Sequence, residues 1–173
     1  GAGADSGTFD YFTEAIVGKA KAIRTDYQPT EDDNVTIKGV AGDTYAMGFL
    51  GYAYCEQNKD KVKAVAIDHG KGCVLPSRET VLDGTYQPLS RPLFIYVNVK
   101  SLDRPEVQAF VDFYLSPAAR RAIRSTGYVE LPSEAYRIGQ ELVKRRKAGT
   151  FFMELPAGTP LSKFIQELDK ELR

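Results

Sequence analysis

About three or four stretches of this chain read as β-strand, and that shortage constrains the fold more than any other feature. The strongest is Leu93-Phe94-Ile95-Tyr96-Val97-Asn98-Val99. It follows Pro88 and Arg91-Pro92, which hold its approach extended. Met47-Gly48-Phe49-Leu50-Gly51-Tyr52-Ala53-Tyr54 is a second, its glycine-spaced aromatics suited to close packing on other backbone. Val62-Lys63-Ala64-Val65-Ala66-Ile67 alternates apolar and polar and is a third. Strands separated by helical spacing imply an α/β architecture. Three or so strands are few for a complete doubly wound domain of 173 residues.

The helical segments are marked at their ends. Phe9, Phe12 and Ile16 fall on one face of a helix that stops near Gly18. Pro29-Thr30-Glu31-Asp32-Asp33 opens a second, its acids complementing the helix dipole, with Val35, Val40 and Ala41 inward before Gly42. Pro76-Ser77-Arg78-Glu79-Thr80-Val81 makes one or two turns, closed by Asp83-Gly84. After residue 99 the chain is helical. Pro105 starts a helix with Val107, Phe110, Val111, Tyr114 and Leu115 on one face. Ser116-Pro117 starts the next, ended by Gly127; Pro132 starts a third with Tyr136, Leu142 and Val143 inward. Thr159-Pro160 opens the last, with Leu161, Phe164, Ile165, Leu168 and Leu172 on one stripe.

Composition excludes several classes. Lys+Arg and Asp+Glu are both 23, so the zero net charge argues against a general nucleic-acid binder. No apolar run reaches the roughly 18 residues of a membrane span. Gly1 to Asp5 lacks the basic start and apolar stretch of a signal peptide. Two cysteines and one histidine do not make the usual Cys/His zinc site. Cys55 and Cys73 read as small buried thiols, or as a disulfide outside the cytoplasm. His69, in Asp68-His69-Gly70-Lys71-Gly72, reads as a solvated loop histidine. Lys144-Arg145-Arg146-Lys147 reads as a solvated, dipole-complementing helix end.

Chemistry is concentrated in Asp5-Ser6-Gly7-Thr8, where a flexible loop meets a helix N-terminus. That end of a helix presents free N–H groups and the positive end of the dipole. Gly7 allows close approach of backbone, and Ser6 and Thr8 add hydroxyls. The result is an uncharged anion cradle, an ordinary helix cap, or both, since the two use the same donors. Monohydrogen phosphate carries a proton that sulfate lacks, so an acceptor carboxylate selects the former. Asp5 is placed to serve, to cap the helix or to face solvent. No Walker A lysine motif, GxSxG, HExxH or GxGxxG is present, and nothing sets a nucleophile beside a base. The reading is therefore a non-enzyme without a metal or cofactor.

Asp5-Ser6-Gly7-Thr8-Phe9-Asp10-Tyr11-Phe12-Thr13-Glu14 resembles the phosphate-binding segment of the phosphate-specific substrate-binding proteins of bacterial ABC transporters. Glu31-Asp32-Asp33-Asn34-Val35, the Gly48 to Tyr54 run, and Pro76 to Val81 through Gly84-Thr85-Tyr86 follow in the family's order. Pro88-Leu89-Ser90-Arg91-Pro92-Leu93-Phe94-Ile95-Tyr96 is similar to the segment where such a chain returns to its first lobe. The likeness runs over roughly residues 4 to 130. It implies a periplasmic-binding-protein-like, two-lobed α/β fold, of which this chain is the C-terminal part. Residues 1–90 would be the latter part of the second lobe, and 91–173 the C-terminal part of the first.

The resemblance also implies Ser6, Gly7 and Thr8 as phosphate ligands through hydroxyl and N–H groups. Asp5 joins them as candidate acceptor. The implied function is non-covalent binding of inorganic phosphate for delivery to an ABC transporter permease. A scaffold that keeps the fold without the ligand is the alternative. The N-terminal half would come from a parent or companion chain, and no nucleic acid is involved. The implied location is periplasmic or extracellular, any membrane anchor lying in the missing N-terminal region. Without that half, unpaired sheet edges and an exposed core are expected.

Overall fold

The computed structural model describes residues 1–149 and 155–173. Helix α1 spans Gly7–Val17, α2 Asp33–Gly42 and α3 Tyr52–Gln57. A two-stranded antiparallel hairpin follows, β1 (Ile67–Asp68) with β2 (Cys73–Val74), pairing Ile67 with Val74 and Asp68 with Cys73. Then come α4 (Arg78–Leu82), a 3-10 turn over Val99–Asp103, α5 (Pro105–Tyr114), α6 (Pro117–Ser125), α7 (Ser133–Lys144) and α8 (Leu161–Lys170).

The helix starts follow from local chemistry. Ser6 caps α1, and Asp32 caps α2 by accepting the Asn34 N–H at 2.8 Å. In α4 the Ser77 hydroxyl accepts from Thr80 N–H while Thr80 Oγ1 accepts from Ser77 N–H, a reciprocal capping box. Pro105 and Pro117 occupy first helical turns, where a missing N–H costs nothing.

The predicted strands take another form. Residues 47–51, 62–66 and 93–98 carry no ladder among the described residues, and only Ile67 of the second run pairs. A strand exists through its neighbour's hydrogen bonds, and those long-range partners are not visible in the spacing of one segment. Tyr52, Ala53 and Tyr54, read as the end of a strand, open α3 instead, because Gly51 caps a turn that buries Ala53. The expected exposure of apolar surface follows. Met47, Val65, Leu93, Phe94, Ile95 and Tyr96 are all exposed, Tyr96 at 81%.

Helix faces also shift. In α2, Val35 (51% exposed) and Ala41 face out, and Thr36 and Ile37 are buried instead. In α1, Phe9 and Thr13 are buried and Ile16 is exposed; in α5, Val111 is buried and Phe110 is 62% exposed. These outward residues are apolar positions left exposed among the described residues. Cys55 is half-buried and Cys73 exposed, and both are free, so neither the buried-thiol nor the disulfide reading holds.

Two packed regions hold the chain. On the first, Phe12 stacks on Phe49 at 4.2 Å between ring centres, with Phe9 and Tyr27 around them. On the second, α5 to α8 gather around Leu102, Val111, Ala119, Tyr136, Ile138 and Leu142. Arg120 lies over the Tyr136 ring and bonds Ser133. The basic run ends α7 as expected and is largely neutralised: Arg145 pairs with Glu141, Arg146 with Asp103 and Lys147 with Glu171.

Candidate functional site: an open donor cluster at the start of α1

The loop before α1 is held from below. Ala2 and Gly3 are buried, Tyr27 Oη donates to Ala2 O, and Thr30 N–H donates to Gly1 O at 2.8 Å. A Cβ at Gly3 would meet the Glu31 carboxylate, so a side chain there would displace that flexible group. Ser6 N–H donates to Gly3 O at 3.0 Å and closes the turn that aims the chain into the helix.

Ser6 then caps α1. Its Oγ accepts the Thr8 N–H at 3.2 Å, and its carbonyl accepts from Phe9 and Asp10. This use leaves the Ser6 hydroxyl proton uncommitted, since the capping oxygen acts as acceptor. Among the described residues, the Ser6 and Thr8 hydroxyl protons and the Gly7 N–H have no acceptor. Gly7 is exposed, and Ser6 and Thr8 are half-exposed. Cap and cradle thus coexist: the cap consumes an acceptor lone pair and leaves the donors open.

Asp5 lies exposed in the preceding turn and makes no hydrogen bond among the described residues. Capping falls to Ser6, which removes one of the three roles open to Asp5. Asp10, in the first turn, lies 4.0 Å from the Lys21 ammonium.

Two residues matter here that sequence reasoning valued only for backbone or packing. Tyr11 is a junction. Its hydroxyl donates toward Pro88 O at 2.8 Å and Ser90 O at 3.2 Å, and accepts the Gly158 N–H at 3.0 Å. Burial raises the Tyr11 hydroxyl above the usual tyrosine range, partly offset by the Gly158 bond and the nearby Arg91 charge. Arg91 lies with its guanidinium 5.1 Å above the Tyr11 ring centre, and its Nη2 lies 3.8 Å from where a Cβ on Gly7 would stand. The signal for both was long-range and not visible in spacing. Among the described residues, no group of three or more His, Cys, Asp or Glu could hold a metal ion, and no helix is long and apolar enough to cross a membrane.

Comparison with known proteins gives this geometry a family. Residues 1–118 match the model of a PBP superfamily domain. The chain is 50% identical over 167 residues to Protein SphX of Synechocystis, covering 93% of this chain and 49% of that protein. It is 38% identical over 133 residues to the phosphate-binding protein PstS of Staphylococcus haemolyticus, covering 76% of this chain and 40% of that protein. The crystal structure of a possible phosphate binding protein from Planctomyces limnophilus superposes with a TM-score of 0.68 at 42% identity, over 85% of this chain and 52% of that one. The chain thus spans about half the length of the relatives it matches. An α/β chain with a capped, donor-rich helix start at Ser6, it belongs to the PBP superfamily.

Proposed function

We propose that this chain forms one wall of an inorganic phosphate site and that the ligand is bound without covalent chemistry. The observation that carries the reading is the trio of open donors at the start of an eleven-residue helix: Ser6 hydroxyl, Gly7 N–H and Thr8 hydroxyl. Hydrogen bonds from these groups to an anion are charge-assisted, and the helix dipole adds to them. Asp5 completes the set as the acceptor that prefers monohydrogen phosphate over sulfate. Relatives named as phosphate-binding proteins support the ligand class.

In this reading residues 1–90 belong to the second lobe and 91–173 to the first, with the remaining strands and ligands supplied by an N-terminal half on a parent or companion chain. Lobe closure on the ligand and release to an ABC transporter permease complete the cycle, outside the cytoplasm. Titration calorimetry of the full-length protein with inorganic phosphate tests it. Saturable binding is expected, weakened about a hundredfold or more by combined Ser6→Ala and Thr8→Ala substitution. Binding unchanged by that double substitution overturns the assignment of these ligands, and no binding by the unaltered protein overturns the function.

A further inference from the structure

Residues 1–90 and 91–173, the two lobes of the reading above, touch in two kinds of place. The first is the crossing itself. There the Tyr11 hydroxyl donates to Pro88 O and accepts the Gly158 N–H, and Gly158 lies against Pro88. A contact on the segment that joins two bodies stays close as they rotate, so it acts as a pivot. The second is made by α3 and α4 on one side and the turn after α6 on the other. Gln57 Nε2 donates to Thr126 O at 3.1 Å, Gly127 lies against Ala53, and Arg78 Nη2 pairs with Glu130 Oε1 at 2.7 Å.

The second contact is built to part. Its polar links are exposed, so water can replace them. Gly127, at φ +83°, brings no side chain to Ala53, so little apolar area holds the two faces together. Glu130 carries the decisive asymmetry. Its carboxylate, largely buried, is shared by Arg78 from the other lobe and Arg124 from its own. Breaking an ion pair is costly where it leaves a buried charge alone. Here separation removes only Arg78. Glu130 keeps Arg124, and the half-exposed Arg78 guanidinium goes to water.

We propose that Arg78 and Glu130 form a releasable strap between the lobes, with Arg124 as the partner that keeps Glu130 paired when the strap opens. The inference rests on the lobe assignment and the phosphate reading above. The strap favours the arrangement in which α3 and α4 meet the end of α6. Phosphate held between the lobes favours the same arrangement, so strap and ligand reinforce each other. The strap therefore slows ligand escape, and it weakens as salt screens its charges.

The test is stopped-flow release of inorganic phosphate from the full-length protein, comparing Arg78→Gln, Arg124→Gln and the unaltered chain. Arg78→Gln is expected to speed release about two- to fivefold, a difference that shrinks toward none in molar salt. Arg124→Gln is expected not to speed release, because it leaves Arg78 as the sole guanidinium partner of Glu130. A merely structural role would make the two substitutions act alike through stability. In the unaltered protein, phosphate is expected to slow hydrogen exchange of the amides over residues 124–130; this arm needs no variant to fold. Release from Arg78→Gln at the unaltered rate overturns the strap. So does acceleration by Arg124→Gln as large as that by Arg78→Gln, or exchange unchanged by phosphate. In each of these cases the phosphate site stands if the Ser6→Ala/Thr8→Ala pair still weakens binding. If the unaltered protein binds no phosphate, strap and site both fall.

Discussion

At the scale of single residues, long-range packing converges on Tyr11. One hydroxyl joins α1 to the 88–90 backbone and to Gly158, and its ring carries Arg91. Gly158 is constrained by both neighbours. It has φ of +79°, and a Cβ would lie 2.8 Å from Pro88 Cβ. Gly158→Ala is expected to lower stability by about 1–3 kcal/mol, measured by urea unfolding, because strain and clash add. A change under a few tenths would mean that this junction does not hold in solution. Tyr11 also sets a pH dependence. Its folded pKa is raised, chiefly by burial, so its contribution is complete below the ordinary value of about 10 and is lost as pH rises through the raised one. Alkaline titration at 295 nm should show one fewer late-ionising tyrosine in Tyr11→Phe. The site itself was partly legible at this scale. Ser6-Gly7-Thr8 is a local pattern, and a local pattern makes a cap. The approach of Arg91 to Gly7 was not legible, because it spans 84 residues and is made by tertiary packing.

At the scale of elements, helices were read well and strands were not, for one reason. A helix satisfies its own backbone, so caps such as Ser6, Asp32 and Ser77 and prolines such as Pro105 and Pro117 mark it from sequence alone. The runs at 47–51, 62–66 and 93–98 need partners from outside themselves. Elsewhere the elements are tied by charge. Glu130, 15% exposed at its side chain, accepts from Arg78 of α4 at 2.7 Å and pairs with Arg124 of α6. Nearby, Gly127 at φ +83° brings the end of α6 against Ala53, and Gln57 bonds Thr126 O at 3.1 Å. Glu130→Gln leaves two half-exposed guanidinium groups without their shared carboxylate. A loss of about 1–3 kcal/mol in thermal or urea unfolding is expected, below that of a fully buried pair because both arginines are partly hydrated. No loss would show that α3, α4 and α6 are held by packing alone.

At the scale of the whole molecule, the exposed apolar runs and the coverage of relatives point the same way. Leu93, Phe94, Ile95 and Tyr96 face outward from a chain that spans about half the length of the proteins it resembles. Exposed strand-forming segments of this kind associate with whatever completes them. The proposal that this chain is one wall of a two-lobed phosphate site is decided by native mass spectrometry of the purified protein, with and without phosphate. A mass above the 19.2 kDa of this chain is expected, from a longer parent or a bound companion, with one phosphate retained. A lone, folded 19.2 kDa chain whose spectrum is the same with and without phosphate would contradict it.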